Sequence, residues 1–90
     1  MTLNDLVVLG IVDDSDFVTP QKVASSAAIV IDDDTFDVRV ALSRITYLRN
    51  IKYLHSDSRN GGLSLTDEGR TAFKAGCHKA RELLDWMRGY

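Results

Sequence analysis

The sequence predicts a mainly α domain carrying one small β-hairpin, an α+β fold built as a single unit. Three observations predict it. Apolar residues recur at helical spacing in segments that open on capping residues, an Asn-Gly pair sits between two short alternating runs, and the last third of the chain is one long amphipathic stretch. Ninety residues, 44% hydrophobic and 27% charged, suit one globular domain rather than a disordered segment. The core is small enough that pairing with a second copy is an expected source of further stability.

The first apolar stretch, Leu3 to Val12, follows Thr2, and Asp5 three residues on completes a weak capping box. Its apolar run is too continuous for a narrow stripe, so a largely buried helix is expected, with a strand as the alternative. Asp13-Asp14-Ser15-Asp16 then reads as a polar loop. Thr19-Pro20 is a strong helix start, because Thr caps well and Pro at the first position gives up an N–H that has no partner anyway. The second helix is expected from Pro20 to about Ala28, burying Val23, Ala24 and Ala27. Ile29-Val30-Ile31 is either its last turn or a short strand.

Asp32-Asp33-Asp34-Thr35 offers the caps for a third helix from about Phe36 to Asn50. Val38, Ala41, Leu42, Ile45 and Leu48 make its core stripe, and Phe36, Arg39, Val40, Ser43, Arg44 and Tyr47 its outward face. Tyr53 to Ser56 and Leu63 to Leu65 read as two strands of a ribbon whose tip carries Arg59 and Asn60. Thr66 caps a fourth helix running to about Arg88, with Asp67 and Glu68 at the positive end of its dipole. Phe73, Cys77, Ala80, Leu84 and Met87 form a heptad-like seam that Leu83 and Trp86 widen. Self-association through this seam is expected, because a helix of ~20 residues spans ~30 Å, more than three short helices cover.

Several function classes are excluded or disfavoured. No apolar run approaches the ~20 residues of a membrane helix, and Asn4 and Asp5 stand where a secretory signal carries positive charge. Cys77 is the only cysteine, so no intramolecular disulfide forms and a reducing, cytoplasmic setting is expected. Net charge is −2, yet residues 1–37 carry −7 and residues 38–90 carry +5. That asymmetry fits an anion-facing surface, and equally scattered charge that keeps a small domain in solution.

The order helix, helix, helix, hairpin, helix resembles a winged helix-turn-helix domain. Leu65-Thr66-Asp67-Glu68-Gly69-Arg70 is similar to the Leu-Thr-x-x-Gly-Arg/Lys signature that follows the wing in MarR-like and PadR-like regulators. Val40 to Leu48 resembles their recognition helix, and Lys52 stands where the family usually has glycine. The resemblance covers roughly residues 19–70. It implies a winged helix-turn-helix over 1–66, with the wing at about 53–65, and a dimerisation helix over 67–90.

The implied function is sequence-specific double-stranded DNA binding by a homodimer, most simply a repressor that blocks polymerase. It would be nucleoid-associated in a prokaryotic or viral setting. Arg39 and Arg44 are placed to meet guanine edges or phosphates, and Ser43 and Tyr47 to bond phosphates. Lys52 is expected near the DNA backbone. Arg49 is read either as a phosphate contact or as one half of a salt bridge at the helix end. Arg59 suits a narrow minor groove, while Asn60 serves the turn or the DNA. On this reading, Arg44→Ala and Arg59→Ala both weaken DNA binding and leave thermal unfolding nearly unchanged. Phe73, Cys77, Ala80, Leu83, Leu84 and Met87 are the expected dimer contacts. The sequence does not say whether a small-molecule effector exists; any sensing would have to use the dimer interface.

No enzyme chemistry, cofactor or metal site is expected. Cys77 and His78 point about 100° apart on a helix, and Cys77 falls in the apolar seam, where burial is expected. His55 has no second ligand at a metal-binding spacing, and the aspartate runs lack the Gly and Glu of a calcium loop. Two other readings remain: a protein-interaction module whose acidic first half meets a basic partner, and a subunit of a larger nucleoprotein assembly.

Overall fold

Thr2 starts the first helix. In the computed structural model, which describes residues 1–15, 18–57, 59 and 61–89, the Thr2 hydroxyl accepts from the Asp5 N–H at 3.2 Å. The Asp5 carboxylate in turn accepts from the Thr2 N–H at 3.4 Å. This reciprocal box satisfies two otherwise free donors, and α1 runs over Leu3–Asp13 as a helix rather than a strand. Val8, Leu9 and Val12 form its buried side.

α2 spans Pro20–Ile31, with the Thr19 hydroxyl accepting from the Lys22 N–H at 3.3 Å. Val23, Ala24 and Ala27 are its buried face, and small side chains let it lie against both α1 and α3. It continues three residues past the expected end, so Ile29-Val30-Ile31 is a last turn. Asp32, with φ of 50°, turns the chain out of the helix.

α3 spans Val38–Asn50 and is capped by Asp37, whose carboxylate accepts from the Val40 N–H at 2.9 Å. The earlier aspartates do not cap it. Asp33 instead ties its own turn, accepting from the Thr35 N–H at 2.8 Å and the Thr35 hydroxyl at 2.7 Å. Phe36 therefore precedes the helix. It is only 5% exposed, which corrects its expected place on the outward face: the turn folds the ring back into the core.

β1 (Leu54–Ser56) and β2 (Leu63–Leu65) pair antiparallel, Leu54 opposite Leu65, His55 opposite Ser64 and Ser56 opposite Leu63. Val18, just before α2, adds a further rung, its carbonyl accepting from the Leu63 N–H at 2.8 Å. α4 covers Asp67–Arg88, capped by Thr66, whose hydroxyl accepts from the Gly69 N–H at 2.9 Å. The molecule is thus mainly helical with a small two-stranded hairpin and a long C-terminal helix. No helix among the described residues is long and apolar enough to cross a membrane.

Two close approaches fix how the hairpin and α4 meet the rest. A Cβ on Gly69 would lie 2.0 Å from the Tyr53 carbonyl oxygen, so only glycine lets α4 sit there. A Cβ on Gly76 would lie 2.4 Å from a Leu6 methyl, which sets the spacing of α1 and α4. The core itself is Val8, Leu9, Val12, Val23, Ala24, Ala27, Phe36, Ala41, Ile45, Leu48, Leu54 and Leu63. α4 reaches it through partly buried Phe73, and every described residue from Arg81 to Gly89 is exposed.

Candidate nucleic-acid interface

α3 presents one face to its neighbours and one to solvent. Ala41, Ile45 and Leu48 are buried, whereas Arg39, Val40, Ser43, Thr46, Tyr47, Arg49 and Asn50 are exposed. At 3.6 residues per turn, Arg39, Ser43, Thr46 and Asn50 share an arc of roughly 60°. Thr46 and Asn50 escaped the sequence reading, although extending the Arg39–Ser43 row by two turns finds them both. The Thr46 hydroxyl is partly committed, donating to the Leu42 carbonyl at 3.1 Å.

Arg44 departs from its expected role as a free outward cation. Its Nε–H donates to Asp5 Oδ1 at 2.8 Å and its Nη2 to Asp5 Oδ2 at 2.7 Å, a two-pronged clamp between α3 and α1. Asp5 is 1% exposed and the Arg44 side chain 35%, so the aspartate is inside the fold and the arginine lies across its mouth. At 100° per residue, Arg44 lies at the flank of α3, which is where α1 passes. Burial by itself raises the Asp5 carboxyl. The Arg44 hydrogen bonds and charge, helped by Thr2, outweigh that and hold it below the ordinary aspartate range. The Asp5 hydrogen bond raises Arg44 correspondingly.

Tyr47 belongs to the same cluster, its ring centroid 4.4 Å from the Arg44 guanidinium carbon. A pocket of about 320 Å³ opens beside it, lined in part by Arg44, Tyr47, Ile51 and Tyr53.

Lys52, at the end of α3, takes a backbone conformation that glycine favours, with φ of 69°. The Lys52 N–H donates to the Arg49 carbonyl at 3.1 Å and the Tyr53 N–H to the Leu48 carbonyl at 2.9 Å, a full Schellman closure. The Lys52 carbonyl accepts from the Thr66 hydroxyl, and the Tyr53 carbonyl from the Thr66 N–H at 3.1 Å. These bonds explain the Leu65-to-Arg70 stretch physically: Thr66 caps α4 and anchors the helix end, and Gly69 makes room for Tyr53. The exposed Lys52 side chain stands beside this junction.

The hairpin connection is closed by backbone bonds from the Asp57 N–H to the Gly62 carbonyl at 2.9 Å and from the Gly61 N–H to the Asp57 carbonyl at 2.8 Å. Gly61 has φ of 69°. The Asp57 carboxylate accepts from the Arg59 N–H at 2.8 Å, and Arg59 is exposed. Asn60 lies outside the described residues.

The expected dimer contacts divide. Phe73 turns inward, its ring 3.4 Å from where a Cβ on Gly10 would stand. Cys77 is exposed, which corrects its expected burial; Ala80 is half-buried, and Leu83, Leu84 and Met87 are exposed. The seam changes role along α4, because α1 covers only its first half.

Comparison with protein-family models, with curated proteins and with solved structures gave no match.

Proposed function

We propose that the protein is a winged helix-turn-helix regulator that binds double-stranded DNA sequence-specifically as a homodimer, in the simplest case a repressor that occludes polymerase. The observation that carries this reading is the Arg39–Ser43–Thr46–Asn50 arc: solvent-exposed polar side chains, with Arg39, Ser43 and Asn50 as donors, on a helix held by its opposite face, with a hairpin following directly. Duplex DNA offers a dense line of negative charge and a major groove wide enough for one helix. Arg39 and Asn50 suit base edges, Ser43, Lys52 and Arg49 suit phosphates, and Arg59 on the hairpin connection suits the neighbouring minor groove. Arg44, spent largely on Asp5, moves from reading bases to holding α3 against α1.

Selection of fragments from a random duplex library, then titration of the enriched sequence, tests this. Arg39→Ala and Arg59→Ala are each expected to weaken the enriched site at least tenfold while leaving thermal unfolding unchanged. Retention of no duplex in moderate salt would overturn it.

One observation favours a second reading. Ile29 is 78% exposed and Val30 64% exposed at the end of α2, immediately before three exposed aspartates. An apolar spot rimmed by acids fits a basic protein partner, and the same library selection separates the readings because an interaction module enriches no sequence.

A further inference from the structure

We infer that the DNA site is polarised in composition, with A·T pairs beneath the C-terminal half of α3 and the hairpin, and a guanine roughly three to five base pairs away beneath Arg39. The inference rests on the DNA-binding reading just proposed and adds to it the bases and their order.

Charge sets how α3 lies. Asp32, Asp33, Asp34 and Asp37 precede Arg39 and are all exposed. Asp37 is spent on the Val40 N–H and Asp33 on Thr35, while the Asp32 and Asp34 carboxylates have no partner among the described residues. That end of the helix repels phosphates, so α3 does not enter the groove N-terminus first. It lies along the groove, its C-terminal half nearer the floor. Side-chain length agrees. Arg39, at the end held off, is the long reach of the arc, whereas Ser43, Thr46 and Asn50 are short.

The chemistry of each side chain then selects a base. The Arg39 and Asn50 side chains hold no hydrogen bond or ion pair among the described residues, so their donors are available. Arginine pairs two-pronged with guanine O6 and N7, and asparagine with adenine N6 and N7. Thr46 works differently. Its hydroxyl turns back to the Leu42 carbonyl at 3.1 Å, which leaves its methyl to face the groove. The matching group there is the thymine methyl. Thr46 and Asn50, one helical turn apart, therefore select the same kind of pair. The hairpin leaves from this end of α3, and Arg59 on its connection suits a narrow A·T minor groove as well.

Spacing follows from the helix. Arg39 and Asn50 stand eleven residues apart on one line of α3, or ~16 Å, and a duplex rises ~3.4 Å per base pair. The span is about five steps if α3 runs parallel to the duplex axis and about three if it follows the slant of the groove.

The test titrates the full chain, as wild type and as Arg39→Ala, Asn50→Ala and Thr46→Ser, against the library-enriched duplex and its single-base variants. All three positions are exposed, and circular dichroism verifies folding. The wild type is expected to enrich a guanine at one edge and A·T pairs at the other. Arg39→Ala should flatten the preference at the guanine alone, and Asn50→Ala that at an adenine alone, each by about tenfold. Replacing the thymines of the A·T end one at a time by uracil deletes only a methyl. At one of them the wild type should weaken about fourfold, the worth of one buried methyl. Thr46→Ser, which keeps the hydroxyl, should be indifferent to the same change. An enriched site without that order, preferences that neither alanine variant flattens, or uracil effects equal in wild type and Thr46→Ser would each overturn the inference and leave sequence-specific binding standing. A library that enriches nothing overturns the DNA reading and this inference together.

Discussion

Asp5 and Arg44, on α1 and α3, are joined by two parallel hydrogen bonds of 2.8 and 2.7 Å, with Asp5 almost wholly enclosed. The pair reassigns the most conspicuous cation of α3. A residue that reads as a DNA contact in a helical projection is a strut between two helices in the fold.

Arg44→Ala is therefore expected to destabilise the domain rather than only weaken binding. Removing one partner of a fully buried pair costs about 3–5 kcal/mol. Because Arg44 is about one-third open to water, we expect about 2 kcal/mol, or a fall in Tm of about 10 °C. Asp5→Asn should cost less, since the arginine left behind can turn to water whereas an unpaired Asp5 carboxylate cannot. Thermal unfolding of the two variants in parallel checks the order.

Stability should fall on acidification in the range set by Asp5. Its carboxyl is lowered in the fold relative to the ordinary value of 3.8. The unfolded chain thus binds a proton first, and the contribution of the pair is full above that value and is lost as pH drops through the lower, folded one. Chemical denaturation at pH 7 and below pH 4 should show the loss for wild type and a smaller one for Asp5→Asn.

Gly69→Ala tests the junction between hairpin and α4. An added Cβ 2.0 Å from the Tyr53 carbonyl oxygen has no flexible neighbour to displace, so helix and strand must separate. We expect a loss of about 3 kcal/mol or more. Gly61→Ala, which meets nothing within 4 Å, is instead penalised only by its left-handed backbone, by about 1 kcal/mol. Urea titration of both distinguishes the two causes.

Lys52→Gly should stabilise. Its φ of 69° costs a side-chain-bearing residue about 1 kcal/mol or more, partly offset by the greater freedom of glycine in the unfolded chain. A gain of about 0.5 kcal/mol is expected, with Lys52→Ala near neutral. Both variants should show a shallower salt dependence of duplex binding, by about one unit in the log–log slope, if Lys52 touches a phosphate.

Local chemistry made most of the elements legible. Thr2, Thr19 and Thr66 start their helices as capping residues do, Val38 to Leu48 keep a helical stripe, and the short runs ending at Ser56 and beginning at Leu63 mark the two strands, because each signal is satisfied within a few residues of chain. The end of α2, the choice of Asp37 over four earlier caps and the inward turn of Phe36 were not legible. Each depends on which of several equivalent groups the core happens to accommodate.

The distribution of side chains over the surface is likewise a product of tertiary structure. No spacing rule pairs Asp5 with Arg44, since they come together only when α1 crosses the flank of α3. Nor does periodicity show that α1 shields the first half of α4 and stops, leaving Cys77 and the leucines beyond it open. The amino-acid order thus determined where helices and strands begin and which way their apolar sides point, because caps and periodicity act over a few residues. Which charges stay free and which apolar residues remain uncovered was decided by packing, because that depends on distances between segments far apart in the chain.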